Sequence, residues 1–191
     1  MQIEPLAITG AWLIKFQTFK DNRGYFREWF KAEEILKEID VNFSTAQANI
    51  SSSSKGTLRG IHYSLTKHGQ AKYITCVKGK IQDVIVDIRP DSSTFGKCID
   101  LELNEDYGSA VLIEPNLGHG FLSLADSSTV VYLTSSSYDS KNEFEINPFD
   151  LDLAIKWGLP PRQIIISDRD NTAPSLSQRK ITDKLPNRGI S

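Results

Sequence analysis

Short stretches in which hydrophobic and polar residues alternate run through most of the chain, which is the pattern of β-strands. In TAQANIS, for example, the polar residues Gln47, Asn49 and Ser51 alternate with small and apolar ones. KYITCVKGKIQDVIVDIRP reads as two β-branched strands that a turn at Gly79 joins into a hairpin. Similar stretches follow at spacings of roughly ten residues, as in a sandwich or barrel: CIDLELN, AVLIEP, HGFLSLA and STVVYLTS.

Helical patterns are rare in the chain. KAEEILKEI predicts one helix with Ile35, Leu36 and Ile39 on one side, and PFDLDLAIKW predicts a short turn of helix. NISSSSKG reads as a polar loop, and the tail after Pro174 reads as a loose or late-docking end. A chain of 191 residues with 39% hydrophobic content can bury one good core and is too short to need two. We therefore expect a single all-β domain over residues 1–191, with a few short helices.

The charge of the chain excludes several classes of partner. A formal net charge of −2, with Lys and Arg scattered along the chain, predicts no binding to nucleic acid or to an anionic membrane. An anionic ligand must therefore meet a local cluster of positive residues. The cysteines Cys76 and Cys98, together with an N-terminal stretch that lacks the pattern of an export signal, predict core thiols in a reduced, cytoplasmic protein.

The alternation in TAQANIS also bears on function. Barrel interiors are normally apolar, so a strand that turned Gln47, Asn49 and Ser51 inward would line a cavity for a polar ligand. In the alternative, these side chains face solvent while Ala48 and Ile50 belong to the core. This strand on its own slightly favours the alternative.

The stretch LRGIHYS is a second candidate for a cavity wall. Arg59 and His62 would face opposite sides of a regular strand, but Gly60 lies between them, and a glycine in a strand often marks a bulge. Both side chains then reach one cavity. A lone histidine is more often a core or surface residue than a catalyst. His119 also lies in a glycine-flanked strand, whereas His68 is expected to be exposed and idle in the loop TKHGQ.

The histidines do not predict a metal site. Catalytic zinc and non-haem iron sites use about three protein ligands, often with closely spaced imidazoles. His62 is followed by Tyr63, Ser64 and Leu65, so the His-x-His step of metal-binding cupins is missing. We therefore expect no metal.

Several motifs follow one another along the chain: DNRGYFREWF, QANIS, LRGIHYS, QAKYITCVKGKIQDVIVDIRPDSSTFGK, HGFLSLA, VVYLTSSSY and ISDRDNTAPSL. Together they resemble the dTDP-4-dehydrorhamnose 3,5-epimerase family, from about Asp21 to Leu176. The resemblance implies a cupin-type jelly-roll barrel and a homodimer. It also implies catalysis on a dTDP-linked 4-keto-6-deoxyhexose, with no metal or other cofactor.

The resemblance implies roles in proton transfer for four residues. A ketone at carbon 4 acidifies the hydrogens on carbons 3 and 5, so inversion needs a base, an acid on the opposite face and a group that stabilises the enolate. His62 matches the family's base, and Asp170 matches the aspartate paired with it. Tyr132 matches the acid, and Lys72 matches the cation near the keto oxygen. Without the resemblance, Tyr132 reads as a core aromatic residue and Lys72 as an exposed strand lysine.

Binding roles are implied in the same way. Arg23, Arg59 and Arg169 match residues that give a pyrophosphate the local positive charge it needs. Arg23, Phe26 and Glu28 match an N-terminal hairpin that completes the nucleotide site of the partner subunit. The alternative for Arg23 and Glu28 is an exposed ion pair on a hairpin. Further matches to substrate contacts are Gln47, Asn49, His119 and Glu143.

The chain also departs from the family pattern. Ser64 stands where the family usually has glutamine, Arg169 stands where it usually has lysine, and EPNLGHGF differs from the commoner PEGFAHGF. These features look more like relatives that epimerise a single centre. We predict epimerisation at carbons 3 and 5. The alternatives are a single-centre epimerase of a modified or amino deoxysugar, a non-catalytic sugar-nucleotide-binding cupin, and a metal-dependent cupin isomerase or dioxygenase.

Overall fold

A computed structural model describes residues 1–186 of the chain. In this part of the chain no helix is long and apolar enough to cross a membrane. The helices are α1 (Ala32–Ile39), α2 (Asp168–Asn171) and α3 (Leu176–Ile181), with a 3₁₀ turn at Pro161–Gln163. The strands are β1 (Gln2–Pro5), β2 (Ala11–Lys15), β3 (Thr18–Asp21), β4 (Gly24–Arg27), β5 (Gln47–Ser54), β6 (Leu58–Ser64), β7 (Lys72–Lys78), β8 (Lys80–Asp87), β9 (Cys98–Asn104), β10 (Ser109–Ile113), β11 (Leu117–Ser123), β12 (Ser127–Thr134) and β13 (Glu143–Glu145).

The strands form two antiparallel sheets that face each other, and β3 and β4 form a separate hairpin. The larger sheet has the order β1-β2-β10-β7-β12-β5, and the smaller sheet has the order β13-β6-β11-β8-β9. Apolar side chains from both sheets fill the space between them, as alternation along each strand requires. The fold is the predicted all-β jelly roll. The main buried residues between the sheets are Ile74, Cys76, Ile81, Ile85, Leu103, Val111, Ile113, Leu117, Phe121 and Val130.

The predicted hairpin of β7 and β8 is wrong. Both strands exist, and Gly79 between them has a φ of 73°, a left-handed conformation that glycine adopts readily. The turn carries the chain from the larger sheet to the smaller one, so β7 pairs with β10 and β12 while β8 pairs with β9 and β11. Both strands are buried along most of their length. Their hydrophobic pattern therefore indicates that they are strands, but it does not indicate which strands they pair with.

Two local predictions also need correction. Leu36 is 44% exposed, because α1 contacts the sheet through the buried Ile35, and consecutive helical residues lie about 100° apart. The serine-rich stretch read as a loop continues β5 to Ser54, since its backbone pairs with β12. The stretch PFDLDLAIKW forms turns, with one helix-like hydrogen bond of 3.1 Å from the Ala154 N–H to the Asp150 carbonyl.

Of the two predicted forms of the tail after Pro174, a loose end or a docking end, the structure has the docking end as far as residue 186. It forms α3, which begins with a capping box of Ser175 and Gln178. Leu176 in this helix and Leu185 beyond it are buried against the outer face of the smaller sheet. The tail docks because this face of the sheet is apolar, which the tail's own sequence does not reveal.

The two cysteines are unpaired thiols, as predicted. Cys76 is buried between the sheets, and Cys98 is partly buried beside the outer face of the smaller sheet. Burial raises the pKa of each thiol to about 11, so both remain protonated at neutral pH.

Candidate active site

Two adjoining cavities open between the sheets, each of about 190 Å³. Both are lined by His62, Lys72 and Tyr132, so they form one site with two halves. The other residues that line the first cavity are Gln47, Asn49, Gln70, Thr134, Tyr138, Glu143, Phe144 and Arg169. Those that line the second cavity are Ser51, Arg59, Ile74, His119, Phe121 and Val130.

Gly60 interrupts the alternation of β6 and so brings Arg59 and His62 to the same cavity. Its φ is 132°, and a Cβ at this position would lie 2.4 Å from the Cα of Gly120 on β11. The register between β6 and β11 shifts at this point, as at a β-bulge. Arg59 and His62 therefore both line the second cavity, as the glycine predicts.

His62 is paired with a buried carboxylate. Its Nε2 lies 2.7 Å from Oδ1 of Asp170 in α2, and the N–H of Gly60 donates to the other oxygen at 3.4 Å. Burial raises the pKa of Asp170, but the hydrogen bonds from His62, Gly60 and Ser167 lower it below its usual value. Asp170 is therefore ionised and accepts the hydrogen of Nε2, which leaves Nδ1 of neutral His62 free to act as a base.

Lys72 and Tyr132 face the same space as this pair. Lys72 is buried, so its interpretation as an exposed strand lysine is wrong. Burial lowers the pKa of its ammonium group, while the charges of Glu143 and Asp83 raise it. Burial also raises the pKa of Tyr132, whose ring packs against the core and lines both cavities, so the phenol remains protonated at neutral pH. The site thus holds a base, a neutral acid and a buried amine whose pKa is lowered from its ordinary value.

The inner face of β5 is polar. Gln47 and Asn49 line the first cavity and are joined by a 2.6 Å hydrogen bond from Gln47 Nε2 to Asn49 Oδ1, while Ser51 lines the second. Ala48 and Ile50 point outward, and Ile50 is 73% exposed, so the alternative that places them in the core is wrong. The reason is that the cavity, and not the core, lies behind this edge strand.

A second histidine–carboxylate pair lies in the wall of the second cavity. Nε2 of His119 on β11 is 2.8 Å from Oδ2 of Asp83 on β8. The sequence analysis did not identify Asp83. Its signal in the sequence is a carboxylate in the middle of the apolar run IQDVIVDI, where an unpaired charge is costly.

Four buried side-chain oxygens have no hydrogen-bond partner within residues 1–186, and all of them lie in or directly behind the cavity walls. They belong to Ser51, Ser64, Asp83 and Glu143. Ser51 and Glu143 line the cavities, Ser64 is the cross-strand neighbour of Glu143, and Asp83 holds His119. Since buried polar atoms are normally satisfied, these oxygens indicate a site that receives polar groups.

The three predicted phosphate-binding arginines lie in different settings. Arg59 lines the second cavity, is exposed, and donates to Oγ of Ser53 at 3.2 Å. Arg169 lines the first cavity and donates two hydrogen bonds, of 2.6 and 3.0 Å, to Oε2 of Glu145. Arg23 lies outside both cavities, beside the turn of the β3–β4 hairpin.

The β3–β4 hairpin does not contribute to the cavities of its own chain. Arg23 pairs with Asp21, and Glu28 pairs with Lys31, so within one chain both residues form exposed ion pairs. Phe26 is 63% exposed. The fold of a single chain therefore separates these three predicted site residues from the other ten.

The sequence analysis also missed several wall residues. Val130 and Thr134 lie on the same face of β12 as Tyr132, and Phe121 lies on the same face of β11 as His119, so the period of two contained a signal for them. Tyr138, which follows β12, carried no comparable signal. Across residues 1–186, no group of three or more His, Cys, Asp or Glu side chains could hold a metal ion.

Comparisons with known proteins show which family the chain resembles. The sequence profile of the dTDP-4-dehydrorhamnose 3,5-epimerase family matches residues 5–178. A Streptomyces protein named dTDP-4-dehydro-6-deoxyglucose 3-epimerase is 42% identical, over 96% of this chain and 93% of its own. A dTDP-4-dehydrorhamnose 3,5-epimerase of Mycolicibacterium smegmatis is 41% identical, over 97% of this chain and 91% of its own. The crystal structure of NovW, a 4-keto-6-deoxy sugar epimerase of Streptomyces spheroides, superposes with a TM-score of 0.95 at 36% identity, over 100% of this chain and 94% of that chain.

Proposed function

Because the chain belongs to the dTDP-4-dehydrorhamnose 3,5-epimerase family, we propose that it epimerises a dTDP-linked 4-keto-6-deoxyhexose at carbons 3 and 5. The enzyme is an isomerase. The observation that carries the proposal is the convergence of the His62–Asp170 pair, Tyr132 and Lys72 on one site. A module that only binds a sugar nucleotide would not need this combination of groups.

The reaction is a proton transfer next to the ketone and needs no redox step. Nδ1 of His62 removes the hydrogen from carbon 3 or 5, and Asp170 stabilises the imidazolium that forms. The electron pair moves onto the keto oxygen, where the ammonium group of Lys72 stabilises the enolate. The phenol of Tyr132 then delivers a proton to the opposite face of the same carbon, which inverts it.

The two halves of the site suit the two parts of the substrate. Ile74, Phe121 and Val130 give the second cavity an apolar wall beside His62, which suits the methyl group of a 6-deoxysugar. The first cavity is lined mainly by polar side chains, which suits the nucleotide. Arg59 and Arg169 lie on either side of the shared centre and supply the positive charge for the diphosphate.

A single domain carries this function, and we place its action in the cytoplasm. The family profile covers residues 5–178, and both sheets contribute to the one site. The two free thiols are typical of a reducing compartment.

The functional unit is a homodimer in which each β3–β4 hairpin completes the site of its partner. The outer face of the larger sheet, beside this hairpin, has an apolar groove of about 440 Å³ that a second copy would cover. Arg23, Phe26 and Glu28 cannot reach the cavities of their own chain, but a neighbouring chain would bring them to the nucleotide. The apolar groove is lined mainly by Trp29, Ala48, Ile50, Val77, Val131 and Leu133.

The shared site predicts complementation between two defective variants. Arg23→Ala combined with Phe26→Ala should weaken dTDP binding at least about tenfold, because a cation and an aromatic contact are both lost. When this variant is mixed and reassembled with His62→Ala, half of the sites in each mixed dimer are intact, so roughly one quarter of the wild-type activity should return. Steady-state assays at low substrate concentration measure both effects.

Tyr107→Ala is the matched control for this experiment, since it removes another exposed aromatic residue outside the hairpin. It should leave dTDP affinity unchanged. A fully active monomer, or a mixture with no recovered activity, would contradict the shared site.

The test of the proposed function is incubation with dTDP-4-keto-6-deoxyglucose in heavy water, with deuterium located by mass spectrometry and NMR. Label at carbons 3 and 5 supports the proposal. Label at one carbon selects the second candidate, a single-centre epimerase, which Ser64 and the 42%-identical 3-epimerase favour. Tight dTDP binding without label would leave only a binding module, and activity that disappears on metal removal would indicate a metal-dependent cupin.

A further inference from the structure

Asp83 is a buried carboxylate to which the reaction described above assigns no role. It is 0% exposed, and its strand neighbours on the same face, Ile81 and Ile85, belong to the core between the sheets. His119 on β11 is the cross-strand partner of Ile85, so Asp83 is its diagonal neighbour, within reach of a histidine side chain. Burying a charge in such surroundings costs free energy unless the charge is paired. The groups that contact Asp83 therefore indicate its role.

The hydrogen-bonded partner of Asp83 is His119, a residue of the second cavity. Its Oδ2 lies 2.8 Å from Nε2 of His119, and both side chains are buried. The charge of Asp83 also acts on Lys72: burial of the lysine lowers its pKa, and the charges of Glu143 and Asp83 raise it again. Oδ1 of Asp83 is buried and has no hydrogen-bond partner within residues 1–186, so His119 is the hydrogen-bonded side chain that this carboxylate serves in that part of the chain.

Asp87 shows how a structural carboxylate in the same strand differs. It is also 0% exposed, but both of its oxygens are bonded, to Arg89, Ser92 and Thr94, at distances between 2.6 and 2.8 Å. None of these groups lines either cavity. Asp87 therefore ties the end of β8 to the loop that follows it, whereas Asp83 contacts the site.

We propose that Asp83 is a positioning residue for the epimerisation: it holds the imidazole of His119 in one orientation in the cavity wall. The proposal rests on the function proposed above. Asp83 accepts the hydrogen of Nε2 and so fixes the tautomer of His119, with the lone pair on Nδ1. The carboxylate thereby sets the geometry of the wall that faces the enolate.

The test compares Asp83→Asn with Asp87→Asn. Asparagine keeps the shape of Asp83 but removes its charge, so kcat should fall about a hundredfold through misplacement of His119. The affinity for dTDP should change by less than about twofold, because dTDP lacks the sugar that these residues face. Asp87→Asn should lower the melting temperature but leave kcat within about twofold of wild type, since Asp87 is remote from the cavities.

A double-mutant cycle separates positioning from a general loss of stability. If Asp83 acts through His119, then Asp83→Asn should cost much less in a protein that already carries His119→Gln than it does in the wild-type protein. An equal cost in both backgrounds would overturn the proposal. So would an Asp83→Asn enzyme with wild-type kcat, or one that loses kcat only in proportion to its folded fraction.

A measurement on the wild-type protein covers the case in which Asp83→Asn does not fold. The ¹⁵N NMR signals of the His119 imidazole should show a protonated, hydrogen-bonded Nε2. A deprotonated Nε2 would overturn the proposal. A wild-type enzyme that incorporates no deuterium would contradict the proposed function instead, so the two failures can be told apart.

Discussion

His62→Ala is expected to abolish exchange of the substrate's hydrogens with solvent, with a loss of at least about a thousandfold in rate. His62 is the base of the proposed reaction, and its carboxylate partner Asp170 holds the tautomer that leaves Nδ1 free. The side chain of His62 is 40% exposed, so its removal leaves no sealed cavity in the core and the fold should persist. Deuterium uptake from heavy water, followed by NMR, measures the exchange rate directly.

His68→Ala is the matched control, because this histidine is exposed in the loop after β6 and lines neither cavity. It should exchange at the wild-type rate. Exchange by His62→Ala at a rate within about tenfold of wild type would show that another group removes the proton. The binding of dTDP by His62→Ala should remain, since we propose that the nucleotide lies mainly against the first cavity.

The elements of the fold could be predicted from the sequence more fully than their pairing. The period of two and the spacing of polar turns indicate most of the strands between β5 and β12, because local alternation records which side of a strand is buried. Pairing depends on contacts between distant strands, and nothing within β7 or β8 records those contacts. The turn at Gly79 is compatible both with a hairpin and with a passage between sheets, and the structure has the passage.

Some contacts of the candidate site could be predicted from the sequence and others could not. The bulge at Gly60 allowed Arg59 and His62 to be placed together from physical reasoning alone. The partner of His62 is more than a hundred residues away, so only the family resemblance could link it to Asp170. The sequence marks Asp83 as a carboxylate in an apolar run, but its contact with His119 depends on which strands lie beside β8, and that pairing appears only in the folded chain.

Tyr132→Phe is expected to separate inversion from exchange. The change removes only the hydroxyl group, and the ring keeps its packing against the core between the sheets. His62 can still remove the proton and return a deuteron to the same face, whereas delivery to the opposite face loses its acid. Inversion should therefore fall by a factor of about a hundred to a thousand, while exchange with retention falls less than about tenfold. NMR of the sugar in heavy water distinguishes labelled starting material from labelled, inverted product.

Tyr107→Phe removes a hydroxyl group from an exposed tyrosine outside the cavities and should change neither rate. Two results would contradict the role of Tyr132. Equal losses of exchange and inversion would mean that the phenol acts before or during proton removal, as a stabiliser of the enolate beside Lys72. Undiminished inversion would mean that solvent or another acid reaches the opposite face. Because the ring borders both cavities, the comparison also tests whether one acid serves both carbons: a loss of inversion at carbon 5 alone would require a second acid for carbon 3.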